Sequence, residues 1–121
     1  TCALPILKDK REVGDTAGVV YKMKCKDCEA CYIGETGRCL KVRMKEHKND
    51  VRKRNERSNV YQHVRETGHE FDYDGVRVVD IEQMAVKRRR LEGVHTVCNR
   101  DSVNRAIDVN PIFHPLLYNN L

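Results

Sequence analysis

Two short runs of mixed apolar and polar residues open the patterned part of the chain: VVYKMK at positions 19–24 and CYIG at 31–34, with the polar stretch CKDCEA between them. Such runs around a turn-rich segment predict a hairpin with an enlarged connection. A period of two puts Val19, Tyr21 and Met23 on one face of the first strand and Tyr32 and Gly34 on one face of the second, so two tyrosines meet across a small sheet. Thr36 and Gly37 mark the turn into a helix. Leu40, Met44 and Val51 then recur at helical spacing, which predicts an amphipathic helix from 38 to about 54, with Arg43 and His47 four apart on one side. Ser58 is a fitting N-cap for a shorter helix through Thr67, closed by Gly68. GVRVVDI at 75–81 alternates as a third strand, and 82–98 reads as a basic helix around Met84, Leu91, Val94 and Cys98. Strands followed by helices define an α+β fold: a small three-stranded, mainly antiparallel sheet flanked by about three helices. Residues 1–17 read as an irregular arm with a short added strand. From Asp101 onward the chain reads as mostly irregular, with Ile112, Phe113, Leu116 and Leu117 available to dock on the core.

A chain of 121 residues accommodates one domain with a modest core. No signal peptide and no long apolar run is present, so the expectation is a soluble, intracellular piece of a larger protein, not a secreted or membrane-spanning one. The net charge of +5 is less informative than its distribution. Nine Lys or Arg residues fall between Arg38 and Arg57, against Glu46, Asp50 and Glu56. This field suits a phosphate backbone, bound without regard to sequence and weakened by salt, and it nominates Arg38, Lys41, Lys48, Arg52 and Lys53 as DNA contacts. The competing view is a solvated helix face laced with ion pairs.

GVVY at 18–21 followed by YIG at 32–34, Leu40 to Arg43 as LxxR, His47 one turn later, Glu92 in a late helix and Asn104 beyond it resemble, in their order, the motifs of the GIY-YIG nucleases. The pair Cys25 and Cys28 between the tyrosine motifs, with His63 and His69 downstream, is most similar to the endonuclease domains of Penelope-like retroelements. The resemblance covers residues 18–105, leaving 1–17 as an arm and 106–121 as a tail. It implies a metal-dependent DNA endonuclease that nicks or cuts target DNA for retroelement insertion, working in the nucleus and fused in the full-length protein to a reverse transcriptase.

The same resemblance implies roles. Tyr21 would be the general base toward water, and Tyr32 would orient water or phosphate beside it. A free tyrosine ionises near pH 10, so a cation such as Arg43 or a metal must favour its ionised form. Arg43 offers a planar, permanently charged grip on phosphate, and His47 could relay a proton. Glu92 would bind Mg²⁺ or Mn²⁺, for which one carboxylate plus water and phosphate oxygens is an ordinary ligand set. Asn104 would help position Glu92 or the phosphate, although the proline expected three positions earlier is Asp101 here. Taken singly, the tyrosines read as packing residues, Arg43 as a partner of Glu46, and Glu92 as a partner of Arg88.

Cys25, Cys28, His63 and His69 together satisfy tetrahedral Zn²⁺, and a closed four-ligand site is structural. Cys31 could replace one ligand, but its place beside Tyr32 fits a buried strand thiol. Cys39 and Cys98 read as helix core, and Cys2 as incidental. A disulfide framework is the less favoured reading of the six cysteines, and a redox CxxC is weak because a YIG strand follows it. The alternative function is a non-catalytic, zinc-stabilised nucleic-acid-binding module, which would have no use for Glu92 near a phosphate.

Overall fold

The computed structural model describes residues 10–104, in the order α1 (Lys10–Asp15), β1 (Ala17–Lys24), β2 (Cys31–Cys39), α2 (Leu40–Arg52), α3 (Asn59–Thr67), β3 (Arg77–Ile81) and α4 (Ala85–Cys98). The fold is α+β, a three-stranded antiparallel sheet of order β2-β1-β3 with helices on both faces. Residues 1–9 of the predicted 1–17 arm, Cys2 among them, and the docking residues of the tail lie outside the described residues.

The hairpin register sets the site. Tyr21 pairs with Gly34 and Met23 with Tyr32, so both tyrosines project from one face as diagonal neighbours. That face is the core: Val19, Tyr21 and Met23 pack with Leu40 and Met44 of α2, Val60 of α3, and Phe71. Gly34 is required for close approach, since a Cβ there would collide with the Tyr21 phenol. Gly18, at φ 67°, sits at the irregularity between Ala17 and Val19, where a Cβ would strike Gln83.

Several boundaries differ from the sequence reading. The stretch to residue 17 contains the helix α1, which packs on α2. β2 runs through Thr36 and Gly37 to Cys39, because Thr36 pairs with Val19 and Cys39 with Ala17 of β1 before the chain turns at Leu40. β3 starts at Arg77 and α4 at Ala85. Ser58 caps α3 by accepting from the Tyr61 amide, and Gly68 closes it at φ 74°, as the sequence predicts.

α4 covers the opposite face of the sheet, but not with the predicted stripe. Met84 and Val94 are exposed, as is Cys98, while the buried positions are Arg88 and Gly93. The reason is an ion pair made by a buried arginine: Arg88 Nε donates to the half-buried Glu35 at 2.5 Å, and its Nη1 donates to the carbonyls of Glu82 and Gln83. Apolar periodicity is blind to a helix anchored by a charge. Cys39 precedes α2 as a half-buried N-cap and is not helix core, whereas Cys31 is a buried strand thiol. Beyond α4, residues 101–104 run beside the free edge of β2, with Cys31 N donating to Asp101 O and Val103 N to Cys31 O. The expected irregular tail therefore begins by blunting a sheet edge.

Candidate active site and metal centre

Five side chains from four elements converge at the β2 edge. Tyr21 is fully buried and its hydroxyl lies 2.7 Å from His47 Nε2. The Tyr21 and Tyr32 rings are 6.3 Å apart, and Tyr32 meets the edge of His47 at 5.1 Å. Tyr32, Arg43, His47, Glu92 and Asn104 line one polar cavity of about 280 Å³, together with Asp50 and residues of the α2–α3 connection. Each reaches it for a local reason. The pleat carries Tyr32 inward, helical spacing places Arg43 and His47 one turn apart, and the Arg88 anchor holds α4 so that Glu92 meets the same space.

Burial dominates the electrostatics. It raises Tyr21 well above the ordinary phenol range, and the neighbouring Tyr32 adds to this, whereas Arg43 pulls the other way without prevailing. Glu92 is close enough to add its own upward push. Burial, then the Arg43 charge, lowers His47 to about 3. At neutral pH Tyr21 is thus a phenol and His47 a neutral imidazole, and the hydroxyl donates to Nε2 when the imidazole proton is on Nδ1. That Nδ1 is buried and has no hydrogen-bond partner among the described residues. Arg43 also makes the ion pair with Glu46, at 3.3 Å, while facing Tyr21. Arg88, the partner that a helical ion pair would give Glu92, pairs with Glu35.

The His47 shift has a consequence for stability. Its folded pKa lies below the unfolded value near ~6.5, so the unfolded chain takes up the proton first; the contribution is full above that value and is lost as pH falls toward 3. The stability advantage of the parent over His47→Gln should shrink by about 2 kcal/mol between pH 7 and pH 5. Urea unfolding at the two pH values measures this, and a pH-independent difference contradicts it.

Asn104 is a clamp on β2. Its side chain accepts from Ile33 N at 3.0 Å and donates to Ile33 O at 2.8 Å, with Ser102 Oγ donating to it as well. It lines the cavity while holding the strand that carries Tyr32. The sequence reading missed Asp50, Asn55, Arg57, Ser58 and Asn59 on the cavity wall, and the Arg88–Glu35 anchor beneath it. The predicted N-cap at Ser58 was the available pointer to the first group.

The second constellation lies at the far end of the hairpin. The ligand atoms of Cys25, Cys28, His63 and His69 all fall within 4.8 Å of one another. Cys25 Sγ is 3.6 Å from His69 Nδ1, and Cys28 Sγ is 3.5 Å from His63 Nε2. A tetrahedral zinc with Zn–S of ~2.3 Å and Zn–N of ~2.05 Å sets neighbouring S and N ligands about 3.6 Å apart, so the donors fit. The amides of Asp27 and Ala30 donate to the sulfurs of Cys25 and Cys28, and the Asp27 amide favours the Cys25 thiolate. Burial raises the Cys25 thiol, so a bound cation, not its surroundings alone, is needed to hold it ionised. Cys31 is in the strand and is not among the four.

Of the basic candidates, Arg38 pairs with Glu46 and Lys41 with Asp15, both exposed. Lys48 stands 5.5 Å from the centre of the Tyr73 ring, and Arg52 binds Asn49. Lys48, Arg52 and Lys53 remain at the surface of α2 and its C-cap. No described helix is long and apolar enough to cross a membrane.

A tyrosine pair, a neutral histidine, an arginine and a carboxylate around a polar cavity belong to a domain equipped for phosphate chemistry. The GIY-YIG catalytic domain model matches residues 17–84, and the chain belongs to that family. No curated protein and no solved structure matches it. Membership implies nuclease activity on DNA, in a family whose enzymes depend on a metal.

Proposed function

We propose that the chain, in a unit spanning residues 18–105, is a metal-dependent DNA endonuclease of the Penelope-like type that nicks or cuts target DNA for insertion of a retroelement. In this reading it acts in the nucleus, joined to a reverse transcriptase. The observation that carries the catalytic part is that Tyr32, Arg43, His47 and Glu92 line one polar cavity, with Tyr21 buried behind His47 at a 2.7 Å contact. The four-atom Cys and His cluster supports the Penelope-like part.

Tyr32 orients the attacking water and the phosphate at the mouth of the cavity, and Arg43 neutralises charge that builds on the phosphorus oxygens. Water gives its proton to Tyr21 Oη as Tyr21 passes its own to His47 Nε2, along the 2.7 Å contact. At rest both groups are poised against this transfer, Tyr21 being raised and His47 lowered by burial. A bound phosphodiester brings negative charge beside His47 and favours the imidazolium. Glu92 would hold Mg²⁺ or Mn²⁺, which stabilises the leaving oxygen when bound. Cys25, Cys28, His63 and His69 would hold Zn²⁺ as a structural clasp.

Metal analysis combined with cleavage of supercoiled plasmid tests both sites. Mg²⁺-dependent nicking by the parent, abolished in Glu92→Ala with DNA affinity kept, is the expected result. Full nicking by that variant at saturating Mg²⁺ overturns the Glu92 role, and binding without cleavage by the parent leaves the non-catalytic reading. Lys48, Arg52 and Lys53 should contact backbone phosphates, with Arg38 and Lys41 as minor contributors because their carboxylate partners compete. Changing the first three to Ala should lower the slope of log affinity against log salt by about two to three. An unchanged slope assigns that face to solvent.

A further inference from the structure

The cavity wall comes from two parts of the chain. The first is Tyr32, Arg43, His47 and Glu92, to which the chemistry falls. The second is the α2–α3 connection and the start of α3, including Arg57, Ser58 and Asn59, which that chemistry does not use.

The second part has the character of an anion site. α3 is nine residues long, and its N-terminal end, with Ser58 and Asn59, opens on the cavity. The positive end of its dipole faces that space. Arg57, immediately before the cap, adds a full charge there. Its backbone is held in place, since Arg57 N donates to Asn55 Oδ1 and Asn55 Nδ2 donates to Asp50. Independently, His47 lines the same cavity with 2% of its surface exposed and its Nδ1 without a partner among the described residues. With Nε2 taken up by Tyr21, Nδ1–H is a buried donor facing no protein acceptor, and leaving it unmatched is costly. An acceptor group from outside the chain completes it.

We propose that Arg57 and the N-terminus of α3 form a second phosphate subsite, which holds a phosphodiester of the DNA strand next to the one being cut. This rests on the nuclease reading above. Arg43 and Glu92 serve the scissile group, Arg57 and α3 its neighbour, and His47 Nδ1–H donates to a phosphate oxygen between them. The strand is thereby gripped at two successive phosphates, which fixes its direction through the cavity. α3 also carries His63, so one member of the Cys and His cluster shares a helix with this subsite.

Arg57→Ala in the whole chain tests the subsite. Duplex binding without Mg²⁺ should weaken about five- to twentyfold, and the slope of log affinity against log salt should fall by about one. In cleavage, KM should rise by a similar factor with kcat within threefold of the parent, and zinc content and circular dichroism unchanged. Arg57→Lys should recover part of the affinity. On a duplex with a mapped nick, a neutral methylphosphonate at one phosphate flanking the cut should weaken the parent and add nothing to Arg57→Ala. Unchanged binding and slope, or a fall in kcat at constant KM, overturns the proposal; the latter would place Arg57 on the scissile phosphate. A parent that binds DNA but fails to nick plasmid overturns the nuclease reading alone, because the binding arm needs no cleavage.

Discussion

Tyr21→Phe should leave a folded protein that binds DNA like the parent and cuts it at least about a hundredfold more slowly, the usual range for loss of a positioned acid–base group. The substitution removes one oxygen from a fully buried ring, so the packing against Gly34, Leu40 and Met44 survives. What is lost is the 2.7 Å contact with His47 Nε2 and the only atom of Tyr21 able to take a proton from water. Leaving that nitrogen unmatched costs about 1–3 kcal/mol of stability, which thermal unfolding would show as a lowered but intact transition. Rate loss from unfolding and rate loss from chemistry are then separable, because affinity for duplex at 25 °C tracks the first and single-turnover nicking the second. Tyr21 is protonated at rest, so it serves as a base only while handing its own proton to His47. His47→Gln should therefore lose most of the same factor, and the double variant little more than either alone, since residues acting as one unit are not additive. A Tyr21→Phe protein that nicks plasmid at the parental rate would make this tyrosine a packing residue.

The legible parts of the fold were those written in local chemistry. The hairpin follows from alternation, α3 from Ser58 and Gly68, and the metal cluster from a CxxC followed by two spaced histidines. Two classes of feature were not legible. One is the buried charge: Arg88 reads as one of several basic residues on a helix, and only the tertiary fold reveals Glu35 opposite it, so the apolar stripe assigned to α4 fell on the wrong side. The other is nonlocal pairing. Asn104 looks like a candidate for phosphate contact in sequence, yet its side chain bonds both the N–H and the C=O of Ile33, a partner 71 residues away. The cavity wall at Arg57 to Asn59 was hidden for the same reason. A helix cap is visible in sequence, but the space it opens on is not.

His63→Ala should lose zinc, stability and DNA grip together, although His63 lies outside the catalytic cavity. With the clasp intact, one Zn²⁺ per chain is expected, and the thiols of Cys25 and Cys28 should resist alkylation until it is removed. Zinc would not be the only hold on the hairpin loop. Lys26 N donates to Glu70 O, Asp72 N to Lys24 O, and Glu70 N to Asp27, so strand pairing between 24–26 and 70–72 survives metal loss. Tyr21 and Tyr32, further along the hairpin, should keep their spacing. The element freed would be α3, which a bound zinc would tie to the loop through His63 and whose first turn lines the cavity. Loss of about 3 kcal/mol of clasp energy lowers the melting temperature by roughly 10–20 °C in a domain this size. Below that melting temperature, cleavage should suffer mainly through KM, as the start of α3 shifts, with kcat changing less. A variant that keeps a full equivalent of zinc refutes the ligand set, and one that loses zinc but falls only in kcat shows that the clasp acts through the tyrosines instead of α3.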